Sequence, residues 1–452
     1  MGYMSRAGRR PNEYASKTSH SNIINELSVK SFLEGCSLPK GAKDISLSKH
    51  KLIKLQMPEE NKIKNIVAID GGYTELKVKT EFPSSTISFF QFGALIFNTE
   101  DLNEISNKSF IDPQDISKLK NIQRFKFTLP TKNITLETEL DLIDSVRKSL
   151  YDFFVNEPFN DKNDRFIKTL KWFIFEEYNS EQKDAWSLAS CPKCGHRNIK
   201  LEKSKMDYNY TYICPNDECK SKIFLTDVFR LHEAIDNELG ASGILGYLTS
   251  LLEQFILIHL IRIMLKIKNS LLEETLFLKD GPLAFFGQTA NLHKPMRTLI
   301  NYLHKNYALN LAGLEKSGLF VEHAHEISNK LGEREALLLD NDYIYKYITP
   351  GKANDAKPYG STSYYSSKLI FKAIDGRVYV ITLPTERSDV VLNPNFGDFK
   401  NAKTILQNIE LLKCDMYENG LIPIALVNKL VSLSNHPSST ILSKFARDKI
   451  SN

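Results

Sequence analysis

Two apolar runs each end in an Asp-Gly pair, and the two aspartates stand 210 residues apart. The first reads Ile66-Val67-Ala68-Ile69-Asp70-Gly71-Gly72, the second Leu276-Phe277-Leu278-Lys279-Asp280-Gly281-Pro282-Leu283. Apolar, β-branched runs of this length predict buried strands, and the glycine predicts a sharp turn after each carboxylate. Two carboxylates raised to one sheet edge make a site for a hard divalent cation, which takes oxygen ligands. A third acidic partner is expected at Glu253, flanked by Leu251, Leu252, Phe255 and Ile256. A carboxylate on so apolar a helix is costly unless it is paired or metal-bound. Glu233, in Leu231-His232-Glu233-Ala234, is the competitor, but its more polar surroundings read as a solvated face.

The second chemical constellation is made of thiols. Cys191-Pro-Lys-Cys194 and Cys214-Pro-Asn-Asp-Glu-Cys219 are separated by nineteen residues. Thiolates two to four residues apart on a turn bind zinc tetrahedrally, and two such pairs close the shell without a water position. The expectation is therefore a structural zinc ribbon over 188–226, with Tyr208–Ile213 as one of its strands. Arg197, Lys200, Lys203 and Lys205 add basic charge there, which reads first as a solvated lysine face.

Elements that position these groups follow from periodicity. Strands are expected over 63–69, 75–80 and 86–97, and a helix over 141–155. Strands over 275–279 and 310–314 deliver Asp280 and Lys316; the tail reads as strands 369–373 and 378–383 with helices 402–412 and 425–433. This order predicts an α/β fold with a mixed sheet flanked by helices. The chain divides into a basic arm over 1–60, a core over 61–187, the ribbon over 188–226, and the rest of the core over 227–452. A chain of 452 residues exceeds one ordinary core. Its 42% apolar and 25% charged residues are ordinary for a globular protein. The net charge of +5 permits nucleic-acid binding without demanding it. Six cysteines, four of them in pairs, do not read as a secreted disulfide framework, which points to a reducing cytoplasm. The polar N-terminal stretch lacks the apolar core of a signal peptide. The apolar run 244–267 is interrupted by Glu253, Gln254, His259, Arg262 and Lys266, so a buried helix is expected rather than a membrane span.

In this order, Asp70-Gly71, helical Glu253, Asp280-Gly281-Pro282-Leu283 and Leu314-Glu315-Lys316-Ser317 resemble the motifs of the NurA nucleases. The resemblance covers most of residues 60–450, with the cysteine module as an insertion. It implies an RNase H-like fold, a homodimer, cleavage of DNA with Mn²⁺ or Mg²⁺, and a hexameric HerA-type ATPase as partner. It implies metal ligation by Asp70, Glu253 and Asp280. Two ions about 3.5–4 Å apart suit an in-line phosphodiester displacement. One departure stands out: Asn428 occupies the place where the family carries a late histidine, and an amide cannot act as a general acid or base. His436 is eight residues further on.

Further candidates line up around this set. Lys316 could meet a phosphate oxygen or developing charge. Gln288, Asn291 and Arg297 could line a DNA groove. Tyr359, Tyr364, Tyr365 and Lys368 read as an aromatic-basic patch of the kind that stacks on single strands, with core or strand packing expected for at least two of the tyrosines. His323 and His325 are spaced poorly for a helical metal pair, which favours i, i+4. Two other classes compete with a nuclease. Asp70-Gly71-Gly72-Tyr73-Thr74 also resembles the phosphate hairpin of actin-like ATPases and kinases, though no second Gly-Gly-Thr loop follows. A non-catalytic scaffold that docks DNA or a partner is the third. The resemblance leaves DNA-end processing and anti-phage defence equally open.

Overall fold

The computed structural model describes residues 17–36, 38, 41–47, 51–100, 122–158, 163–349, 351–415, 417, 419–433 and 438–450. Alternating apolar residues build a nine-stranded mixed sheet. Its strands are β1 (Lys51–Lys54), β2 (Asn65–Lys79), β3 (Ser85–Asn98), β4 (Ile122–Lys132), β9 (Thr275–Asp280), β10 (Asn310–Glu315), β11 (Glu335–Leu338), β12 (Ser366–Lys372) and β13 (Val378–Pro384). The spatial order is β1-β11-β12-β13-β10-β9-β2-β3-β4. β2, β3 and β4 form an antiparallel meander, and β9 and β10 continue it parallel to β2. That five-stranded half has the RNase H-like arrangement. The remaining strands pair antiparallel, with β1, from the end of the expected N-terminal arm, closing the far edge.

Side chains alternate between two layers. Val67, Ile69, Phe277 and Leu311 face a core built with the helices Leu142–Asn156, Phe166–Ile174, Leu245–Ile267 and His293–Asn306. Ile66, Ala68, Leu278 and Leu314 face the opposite layer, covered by the helices Ala402–Leu411 and Ile422–Val431. The helix Leu142–Asn156 starts where the sequence puts it, because the Asp141 carboxylate accepts the Asp144 amide hydrogen at 2.8 Å. The helix Leu245–Ile267 is long and apolar enough to cross a membrane, yet 78% of that apolar window is buried inside the protein. Its polar residues are matched internally: Arg262 pairs with Asp164 at 2.9 Å, and His259 Nδ1 lies 2.9 Å from Thr169 Oγ1. Upstream, residues 225–244 carry a series of 3₁₀ turns.

The ribbon consists of the hairpins β5 (Ala185–Ser190) with β6 (Arg197–Glu202) and β7 (Thr211–Ile213) with β8 (Lys222–Phe224). Leu188, Ile199, Leu201, Tyr212 and Ile223 join the same apolar cluster as Phe154 and Phe255. Buried Arg147 ties the ribbon down, giving Asp227 two bonds at 2.7 and 2.9 Å and the Lys222 carbonyl one at 3.0 Å. A fork-shaped guanidinium suits that bidentate role.

The glycines after the two aspartates behave differently. Gly281 has φ +84°, donates its amide to the Leu314 carbonyl at 2.8 Å, and turns the chain as expected. Gly71 and Gly72 do not turn it; β2 runs straight through them to Lys79. Their role is close approach. A Cβ on Gly71 would lie 2.5 Å from the Phe92 ring and 3.3 Å from Glu253 Oε1. On the other face, a Cβ on Gly93 would meet Val431 at 2.9 Å. The sheet is stripped of side chains where helices must sit nearest to Asp70. Gly71→Val is expected to lower stability by about 1–3 kcal/mol through overpacking, read as a lower urea midpoint. Gly243→Ala, whose Cβ meets nothing within 4 Å, should leave the midpoint in place.

Candidate functional site

Parallel pairing sets the level of the acidic residues. Ile69 lies opposite Lys279 and Leu314 opposite Asp280, so Asp70, Asp280 and the segment entering Lys316 reach one height in the sheet. β9 and β10 end there while β2 continues. The C-terminal ends of parallel strands are where open α/β sheets bind ligands. Alternation then sorts the side chains by face. Lys279 points with Phe277 toward the long helix Leu245–Ile267, where its Nζ meets Glu253 Oε2 at 2.6 Å. Asp280 points the other way and takes Lys316 Nζ at 2.6 Å.

Lys279 is the residue that sequence reasoning passed over. It is 3% exposed, and it also donates to the Asp280 carbonyl oxygen at 2.6 Å. A buried lysine stays charged only beside a carboxylate. Burial nevertheless pushes the Glu253 carboxyl upward, against the pull of Lys279. The next residue, Gln254, is fully buried; it donates to the Ala284 carbonyl and accepts from the Tyr365 hydroxyl, locking the helix to the loop that follows Asp280.

Asp70 sits between the two ion pairs, without a lysine of its own among the described residues. It is 6% exposed and accepts one bond, from its neighbour Gly71 N, at 2.8 Å. Burial, then Asp280, then Glu253 push its carboxyl up to about 8, with Lys316 pulling in the other direction. Three carboxylates are thus electrostatically coupled, but they do not close on one point. Among the described residues, the only acidic or thiol cluster with all its ligand atoms within 4.8 Å of one another is the cysteine one. The oxygen donors and the uncompensated Asp70 fit a hard divalent cation; Lys279 and Lys316 hold the other two carboxylates in its place.

The cysteine cluster has the dimensions of a zinc site. Cys191 and Cys219 Sγ lie 4.0 Å apart, Cys194 and Cys214 Sγ 3.8 Å. A tetrahedron with Zn–S bonds of about 2.3 Å has edges of roughly 3.8 Å; a disulfide needs about 2.05 Å. Ser221 Oγ stands 3.1 Å from Cys219 Sγ, and its hydrogen bonding pulls that thiol down to about 6. Burial pushes Cys214 the other way, to about 12. Such a set fits zinc with no open position.

Other expected site residues are placed elsewhere. The expected aromatic-basic surface patch is not one: Lys368 is 3% exposed, bonded to Glu315, and lies 4.1 Å from the Phe320 ring centroid and 4.9 Å from that of Tyr364. Tyr364 is largely buried, and its carbonyl accepts a bond from Arg297. Tyr365 is fully buried. Gln288 and Arg297 are half-buried; Arg297 lines a small pocket with Tyr359 and Tyr364, and its Nε and Nη1, like Gln288 Oε1, have no hydrogen-bond partner among the described residues. A lysine beside tyrosines reads as surface in one dimension, and only the fold brings Glu315 beneath it. His323 bonds the Tyr343 hydroxyl at 2.8 Å and His325 faces Asn419 at 2.7 Å, so the two do not converge. Asn428 lines a pocket with Lys316. His436 lies outside the described residues. With Gly71 and Gly72 inside a strand, the expected phosphate-approaching hairpin is not formed there.

No protein-family model matches this chain, and no curated protein matches it. Among solved structures, the NurA nuclease from Sulfolobus solfataricus aligns over 97% of this chain and 98% of its own, at 8% identity and a TM-score of 0.32. A second NurA structure aligns over 96% and 97%, at 11% identity and a TM-score of 0.30. Likenesses this distant carry no argument about what the chain does.

Two measurements check the site. Elemental analysis of the full chain should find about one zinc, lost in Cys214→Ser together with a fall in thermal midpoint. The Asp70 carboxyl holds its proton in the folded chain up to about pH 8, whereas the unfolded chain releases it near 3.8. The folded state therefore binds more protons across that window, and metal-free stability falls as pH rises through it. Asp70→Asn should remove that slope and be more stable than wild type at pH 8 by on the order of a few kcal/mol. The gap should shrink toward pH 4 in urea titrations with EDTA present.

Proposed function

We propose that the protein is a divalent-metal-dependent deoxyribonuclease that hydrolyses phosphodiester bonds at the Asp70–Glu253–Asp280 site. The observation that carries this reading is Asp70: a buried carboxylate beside two others, with no cation paired to it among the described residues. Asp70, Glu253 and Asp280 would hold Mn²⁺ or Mg²⁺, which supplies a Lewis acid and an activated water when bound. A phosphodiester carries negative charge, so it approaches these carboxylates only when their charge is neutralised. Lys316, 31% exposed against 3% for Lys279, is the lysine able to turn from Asp280 to a phosphate oxygen and to the charge that builds on it. Lys279 pulls against the upward push of burial on Glu253 and aims it at the edge from behind. Gln254 and Tyr365 hold the helix that carries it.

The resemblance of these motifs to the NurA nucleases implies a finer reading: a homodimer working on DNA ends with a hexameric HerA-type ATPase, in repair or in defence against invading DNA. The cysteine ribbon holds zinc structurally in this reading and takes no part in the chemistry.

The test is cleavage of linear single- and double-stranded DNA by the full chain with Mn²⁺, Mg²⁺ or EDTA, with and without a HerA-type ATPase. Cleavage should need the metal and fall by about a hundredfold or more in Asp70→Ala and Asp280→Ala, the scale of losing several kcal/mol of charge stabilisation. Unchanged metal-dependent cleavage in both variants removes the site.

A further inference from the structure

Lys316 faces two ways. Its amine meets Asp280, and its side chain also forms one wall of a pocket of about 490 Å³ along the helix Ile422–Val431. The pocket has an apolar floor that includes Leu421 and Ile424, and Tyr417 stands at its side. Its polar groups are the Asn428 amide, the Ser432 hydroxyl and the amines of Lys316 and Lys429. Among the described residues, no carboxylate lines it. Apolar lining together with a tyrosine suits a base, and two lysines suit the phosphates on either side of it. The volume matches a ligand of nucleotide size and leaves no room for a base pair with both backbones.

We infer that this pocket holds one unpaired nucleotide of the strand being cut, next to the scissile phosphate, and that Asn428 contacts its base. This rests on the nuclease reading for its connection to cleavage. The physical reason for Asn428 is its chemistry: an amide offers both a donor and an acceptor to a base edge. An amide does not carry a proton in catalysis, so in this reading the position contacts nucleotide. Lys316 then sits at the junction, within reach of the phosphate that joins the bound nucleotide to the next one. A pocket sized for one base makes single strands and frayed ends the preferred substrates.

Binding can be measured apart from cleavage. The full-length protein is titrated with dAMP and with inorganic phosphate in EDTA, by calorimetry. We expect dAMP to bind more tightly than phosphate. Its affinity should fall about tenfold in Ala425→Trp, which fills the pocket, and several-fold in Asn428→Ala and Lys429→Ala, whose side chains are exposed and do not pack in the core. Circular dichroism and zinc content should stay unchanged in all three. On single-stranded DNA, Asn428→Ala should raise KM with little change in kcat, the pattern of lost binding rather than lost chemistry. Absence of dAMP binding to wild type overturns the inference, as does equal affinity for dAMP and phosphate or binding that none of the variants weakens. If dAMP binds as expected but wild type does not cleave DNA with Mn²⁺, the pocket stands and the nuclease reading fails.

Discussion

Crowding of negative charge at one end of the sheet is the constraint on which the rest of this structure turns. Asp70, Glu253 and Asp280 come from a strand, a helix and a second strand, and burial pushes the carboxyls of Asp70 and Glu253 upward. Two lysines make the arrangement tolerable. Lys279 serves Glu253 on one face of the sheet, and Lys316 serves Asp280 on the other. Among the described residues Asp70 accepts only its neighbour's amide, and burial, then Asp280 and Glu253, displace its carboxyl upward.

Bringing helices that close to Asp70 needs space, and the glycines supply it. Gly71 admits the Phe92 ring and the Glu253 carboxylate; Gly93 admits Val431. The same close approach places the helix Ile422–Val431 beside the strand ends, so that the pocket with Asn428 opens next to Lys316. The cysteine ribbon acts at longer range. Its apolar residues merge with the core around Phe154 and Phe255, on the helix layer that presents Glu253. Cross-linking four cysteines through zinc would stiffen that layer, with Arg147 and Asp227 fastening it from the other side.

Several features were legible in one dimension because they rest on local cost. A carboxylate in an apolar run is expensive wherever it lies, so Asp70, Glu253 and Asp280 stand out before any fold is known. Paired cysteines at zinc spacing are equally local, and the four sulfurs sit at tetrahedral distances. Strands β9, β10, β12 and β13 follow from runs of apolar residues. The glycines were harder to read: after Asp280 the glycine turns the chain, while after Asp70 an identical pair lies in a straight strand. Residue type cannot separate a glycine chosen for positive φ from one chosen for closeness, since both need only the absence of a Cβ.

Charge partners were beyond the sequence for a related reason. Lys279 hides beside the aspartate that attracts attention, and its partner is on a helix twenty-six residues earlier. Lys368 and the tyrosines near it look like surface until Glu315, Phe320 and the strand beneath enclose them. The sequence alone determined which residues are too costly to bury without purpose, because that cost belongs to each residue and its immediate neighbours. The tertiary structure decided which opposite charge answers each of them and which one is left unanswered. Coulomb energy depends on distance through space, and β2, β9 and β10 meet only after the chain between them has folded away.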